Sequence, residues 1–160
     1  MKTLYPAKNV LAAIGLVAVA GVALAQDLMK PVAVEPEALT WKDNPALPKG
    51  AQTAVVFGDP TKPGEIFVQR IKLPPNYQVG PHTHPYTGYE TVINGSFYVG
   101  EGDKFDKKGE LHKAGSFSIM PAKHAHYAWT GSEGVILQVQ AIGPTGIDYI
   151  NPADDPRKTQ

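Results

Sequence analysis

Between residue 26 and the C-terminus no stretch of twelve residues carries the three-to-four spacing of apolar side chains that an amphipathic helix needs, and each apolar run is cut short by Gly, Pro or Asn. A chain punctuated in this way buries its apolar groups as short strands. The candidates are Thr53 to Phe57, Glu65 to Leu73, Tyr89 to Val99, Ser116 to Met120, Ala125 to Trp129, Val135 to Ile142 and Ile147 to Ile150. Alternation is clearest in the second, where Ile66, Val68, Arg70 and Lys72 face one way and Phe67, Gln69, Ile71 and Leu73 the other. Asn94-Gly95 is the strongest hairpin signal, because a type I′ turn needs positive φ at both central positions. Strands of this length and spacing specify an all-β sandwich or barrel over residues 53–150. Six prolines between Pro31 and Pro63 make residues 26–52 a proline-rich arm, and residues 151–160 read as a flexible tail.

The first 25 residues are of another kind. Lys2 and Lys8 precede an uncharged apolar run from Val10 to Ala23, and Ala23-Leu24-Ala25 offers small residues for cleavage. Fourteen residues of helix reach only about 21 Å, against roughly 30 Å of hydrocarbon. The expectation is a signal peptide over residues 1–25 and a secreted or periplasmic mature chain. Removing it takes two of the 15 basic groups and none of the 15 acidic ones, which leaves 13 against 15. A surface so close to neutral argues against nucleic acid, and against a membrane after cleavage, as the main partner. The absence of cysteine excludes disulfides, thiolate ligands and a cysteine nucleophile.

All five histidines lie between positions 82 and 126, four of them in the pairs His82-Thr83-His84 and His124-Ala125-His126. Residues i and i+2 of a strand share a face, so His82 and His84 can aim two imidazoles at one point. A third ligand must come from another strand, and His126 is the leading candidate. His124 reads as a surface or rim residue, and His112 as a solvent-exposed loop residue.

Around these histidines the chain resembles the cupin family, small barrels of the double-stranded β-helix or jelly-roll type. The first family motif appears as Asn76, five residues, His82-Thr83-His84 and a closing Gly95; the second as Gly115, five residues, Pro121, Lys123, His126 and Thr130. Asn76 and Lys123 stand where the family has glycine, and Thr130 where it has asparagine. The family's metal-binding glutamate would fall at Gly88. Glu90 lies two residues on with the same parity, as a metal ligand, as a general base, or as a group facing the substrate.

The resemblance implies a divalent transition metal on His82, His84 and His126, with or without Glu90. An all-imidazole set with an optional carboxylate suits Mn, Fe, Ni, Cu or Zn. It implies either a metal-dependent small-molecule enzyme of the oxygenase or isomerase type, with Glu90 catalytic, or a non-catalytic cupin that binds or senses a small molecule or metal. The partner would be a small-molecule ligand or substrate, and the family's habit of pairing through the N-terminal arm makes a homodimer an expectation. Tyr86 and Tyr89 are candidates to place a phenol near the metal. Gln138 and Gln140 are substrate-binding candidates if their face is interior and surface residues if it is not. Phe97, Tyr127 and Trp129 are expected inside the barrel.

Overall fold

The structure, a computed structural model, describes residues 31–158. The expected signal peptide therefore lies outside the described residues. Chain contacts separate residues up to Ala33 from a second unit that starts at Val34, and the fold described below is that second unit.

Ten antiparallel strands make up the unit: β1 (Lys42–Asp43), β2 (Gln52–Phe57), β3 (Ile66–Leu73), β4 (Gln78–Thr83), β5 (Gly88–Glu101), β6 (Glu110–Lys113), β7 (Phe117–Met120), β8 (His126–Trp129), β9 (Val135–Ile142) and β10 (Asp148–Tyr149). Among the described residues there is no α-helix. The strand order is β1-β2-β3-β9-β5-β8-β4-β10, with β6 and β7 also paired to β5. β5 is the hinge of the fold. Its first half pairs β7 and β9, while its second half pairs β6 and β8.

That continuity corrects the hairpin expected at Asn94-Gly95. Gly95 does take a positive φ of 74°, but there the chain bends rather than reverses. The register against β9 slips between Val92 and Asn94, so Ile93 is the extra residue of a bulge just before the Asn94-Gly95 pair, where one strand passes from one sheet into the other. Positive φ serves a bend as well as a turn, and the local sequence does not distinguish them. Space also demands glycine here, since a Cβ on residue 95 would lie 1.9 Å from the Gly134 carbonyl oxygen.

The alternation read from residues 65–73 holds: Phe67, Gln69 and Leu73 are buried, while Ile66 is exposed. Phe67 and Leu73 meet Val135, Leu137, Val139 and Ala141 of β9 and Val92 and Phe97 of β5 in the interior core. Gln138 and Gln140 lie on the opposite face of β9, where Gln138 Oε1 accepts from Arg70 Nε at 3.1 Å, so they are surface residues. Tyr127 is fully buried and Trp129 partly so, but on the face of β8 opposite the histidine cavity. His126 and Ala128 face inward, which sends their alternate neighbours outward, and the two rings pack instead with Phe105 of the 102–109 loop. The Tyr127 hydroxyl donates to Asp106 Oδ1 at 2.5 Å.

Both ends of the unit pack on the barrel. From the arm, Ala46 and Leu47 join the core, the Tyr77 hydroxyl donates to the Pro48 carbonyl, and the Tyr149 hydroxyl donates to the Ala46 carbonyl at 3.0 Å. Residues 152–154 and 156–158 form short 3₁₀ turns. Between them Asp155, 6% exposed, takes both Nε (2.7 Å) and Nη2 (2.9 Å) of Arg157.

Replacing Gly95 with Ala is expected to destabilise the fold by about 3 kcal/mol or more, because backbone strain and a backbone clash coincide there. Gly64→Ala has a similar φ of 78° with nothing within 4 Å, and is expected to lose only about 1 kcal/mol. Urea unfolding of the two variants checks this, and equal losses would contradict the account of the bend.

Candidate metal centre

Strand pairing brings the three expected histidines together. His82 of β4 lies directly opposite His126 of β8, and His84 follows two residues later on the same face. One ring nitrogen from each lies within 4.8 Å of the others, and the ring centroids of His82 and His126 are 4.2 Å apart. Donors sharing one ion at about 2.1 Å sit roughly 3 to 3.5 Å apart, so a small inward movement completes the set.

Each imidazole is also oriented from behind. His82 Nδ1 meets the Gly80 carbonyl at 2.8 Å, His84 Nδ1 the Gly146 carbonyl at 2.7 Å, and His126 Nδ1 the His124 carbonyl at 3.1 Å. A carbonyl oxygen only accepts, so in each ring Nδ1 carries the proton and Nε2 offers its lone pair. Burial, reinforced by the neighbouring imidazoles, holds His82 well below the ordinary histidine pKa. Burial likewise lowers His84, and lowers His126 to about 4. All three are therefore neutral, the form that binds metal, at any pH near 7. The donor set fits a divalent transition metal.

Glu90 lines the same cavity and is 7% exposed, but it stands outside the group of three close donors. It makes no hydrogen bond or ion pair among the described residues, and burial alone pushes its carboxyl up to about 7. Its Oε1 lies 3.4 Å from where a Cβ on Gly88 would be, as does a ring carbon of Tyr86. The carboxylate thus leans back into space that a side chain at Gly88 would have filled. Tyr86 is buried and stacks on His84 at 5.0 Å between centroids, whereas Tyr89 is on the outer face and exposed.

The backbone keeps the motif geometry where the residues depart from it. Asn76 and Lys123 have φ of 56° and 63°, alongside Gly95 and Gly115. Thr130 is buried; its hydroxyl accepts from the Tyr77 amide at 2.8 Å and donates to the Pro74 carbonyl at 2.6 Å, tying the end of β8 to the entrance of β4. His124 is part-exposed at the rim, 3.9 Å from Glu101. His112 is not a loop residue: it lies on β6, partly buried against the Phe97 ring. The cavity itself measures about 70 Å³ and is otherwise walled by Leu47, Ile71, Val79, Met120, Leu137 and Val139 among others.

No family model and no curated protein matches the sequence. Solved structures do. The chain is similar to the polyketide cyclase RemF from Streptomyces resistomycificus, with a TM-score of 0.65 and 17% identity over 81% of this chain and 92% of that one. An RmlC-like cupin protein from Ralstonia eutropha aligns with a TM-score of 0.62 and 14% identity over 81% of this chain and 78% of that one. A structure described among DMSP lyases aligns at 0.52 and 15% identity, over 66% of this chain and 57% of that one.

Burial of these groups makes stability depend on pH. His82 and His126 have folded pKa values below the ordinary 6.5, so their share of stability is complete above pH 6.5 and is lost as pH falls below it, for His126 down to about 4. Glu90 runs the other way: its share is complete below 4.5 and is lost as pH rises through about 7. Each group contributes a slope of about 1.4 kcal/mol per pH unit. Between pH 6.5 and 4.5 the imidazoles outnumber the carboxyl, so the metal-free protein is expected to lose stability on acidification. Glu90→Gln should steepen that loss by about 1.4 kcal/mol per pH unit. Denaturant midpoints across this range check both statements; a flatter profile in the variant would contradict them.

Proposed function

The chain has the cupin fold, a double-stranded β-helix, and on that premise we propose that it is an exported, metal-dependent enzyme that moves a proton on a small oxygen-bearing substrate. His82, His84 and His126 hold a divalent transition ion, and Glu90 is the general base. The observation that carries this reading is the pairing of three imidazoles in one fixed tautomer with a buried, unpartnered carboxyl in the same cavity. Structural relatives that include a polyketide cyclase and a DMSP lyase support small-molecule chemistry in this fold. The leader at residues 1–25 supports export.

A bound divalent ion would supply Lewis-acid polarisation of a substrate carbonyl. The protein's own residues do the rest. Glu90, with a pKa near 7, takes a proton from the carbon beside that carbonyl and returns it to a neighbouring atom, so that substrate and product are isomers. Apolar walls of Leu137, Val139 and Met120 keep bulk water from competing for that proton. Tyr86, stacked on His84 and itself pushed up to about 12 by burial, stays a neutral phenol beside the carboxyl.

Purified without chelator, the protein is expected to carry close to one equivalent of a transition metal by elemental analysis, lost in the His82→Ala, His126→Ala double variant. Glu90→Gln should keep that stoichiometry while abolishing hydrogen–deuterium exchange into small 2-oxo and 3-oxo acids, followed by NMR. Loss of metal in Glu90→Gln would make the residue a ligand instead. Binding of these acids without exchange in the native protein would turn the reading to a non-catalytic binder. N-terminal sequencing of exported material is expected to begin at Gln26.

A further inference from the structure

Beside the histidine cavity lies a second compartment of about 270 Å³, and the two share Leu47, Ile71, His84, Tyr86 and Ile147 in their walls. Gln69 projects into it from β3. Only 6% exposed, its carboxamide makes no hydrogen bond among the described residues, although no fully enclosed polar atom is left unsatisfied. The amide is therefore open to the compartment.

The other polar walls differ in this respect. Asn44 is engaged with Thr53 and the Ala46 amide, Thr145 with Tyr86, and His84 Nδ1 with the Gly146 carbonyl. Arg157 is forked onto both oxygens of Asp155 and also donates to the Ile147 carbonyl at 3.0 Å. Native proteins leave few buried amides unpaired, and one facing a cavity points to a ligand that pairs it.

Strand register fixes the span. Gln69 is opposite Val139 on β9, and Val139 is opposite Glu90 on β5, so the three lie on one inward-facing rung. Two strand spacings put the Gln69 and Glu90 backbones about 10 Å apart. A molecule of four or five carbons bridges that gap once the two side chains reach toward each other.

We propose that Gln69 determines specificity by binding the neutral, hydrogen-bonding tail of the substrate, a carboxamide or hydroxyl, while the oxygen-bearing head lies at the histidines. A carboxamide offers a donor and an acceptor together, and matches a group that does the same. An anionic tail fits poorly, because the cation in this compartment is already neutralised by Asp155 and an unpaired buried charge is costly. The proposal rests on the metal-site reading given above.

The test uses the full chain loaded with Co(II), whose visible spectrum reports binding of three carboxylates of matched shape: succinamate, succinate and 4-methylpentanoate. Succinamate is expected to bind at least tenfold tighter than the other two. In Gln69→Leu, and in Gln69→Met as a second variant of closer shape, the advantage over 4-methylpentanoate should vanish with bound cobalt unchanged at one equivalent. If native protein shows no preference, or the variants keep it with cobalt intact, the role of Gln69 is overturned and the metal reading survives. If native protein holds no cobalt, the metal reading falls and this proposal falls with it.

Discussion

Three hydrogen bonds, each from an imidazole Nδ1 to a backbone carbonyl, determine what this interior can be. Two are local, reaching back two residues to the Gly80 and His124 carbonyls, and the third ties His84 to Gly146 in the loop before β10, so β4, β8 and that loop together hold the rings where they converge. In return they fix the tautomer, and a neutral ring with its lone pair facing inward is the form that survives burial. Hydrogen bonding and desolvation therefore act in the same direction. Glu90 is held to no partner and pays the full desolvation penalty, which is why its carboxyl moves toward neutrality while the rings stay uncharged.

Much of this was legible because a strand has a period of two. Inward parity at His82 and His84 is met by His126 across the strand pair, while the faces of Gln69, Glu90, Gln138 and Gln140 follow from the register of β3, β9 and the first half of β5. The same rule, applied one residue along, would have sent Tyr127 and Trp129 outward; general expectations for aromatics outweighed it. What the sequence hid depends on tertiary pairing. Asn94-Gly95 reads as a hairpin because the positive φ of Gly95 fits a turn, and only the partners on either side show that the strand runs through it, past a bulge at Ile93. Gln69 was visible as an inward residue on an alternating strand, but its lack of a partner is a property of the neighbours from β2, β9 and the two chain ends.

Motif departures prove informative for a similar reason. Asn76 and Lys123 hold the left-handed conformation that glycine would hold more easily. The Lys123 amide donates to the His84 carbonyl at 2.9 Å and its ammonium reaches Asp148 at 3.0 Å, contacts that hold this turn against the segment carrying His84. Gly88 and Glu90 occupy successive inward positions on β5, and the lack of a side chain at Gly88 leaves room for the carboxyl.

The two compartments also differ in how they assemble. The histidines span residues 82 to 126, in the middle of the chain, whereas the wall around Gln69 includes Asn44, Ala46 and Leu47 from one end and Thr145 to Ile147 and Arg157 from the other. The bond from Tyr149 to Ala46 closes a loop of 103 residues. Loop closure of that length comes late, after shorter-range pairings have reduced its entropic cost. A folding intermediate can thus set His82 opposite His126 across β4 and β8 before the neighbouring chamber exists, whereas His84 gains its Gly146 partner only as that chamber closes. Variation at the N-terminal end would then reshape which molecules fit while the three ring contacts stay in place, whereas variation around Gly146 would touch both compartments at once.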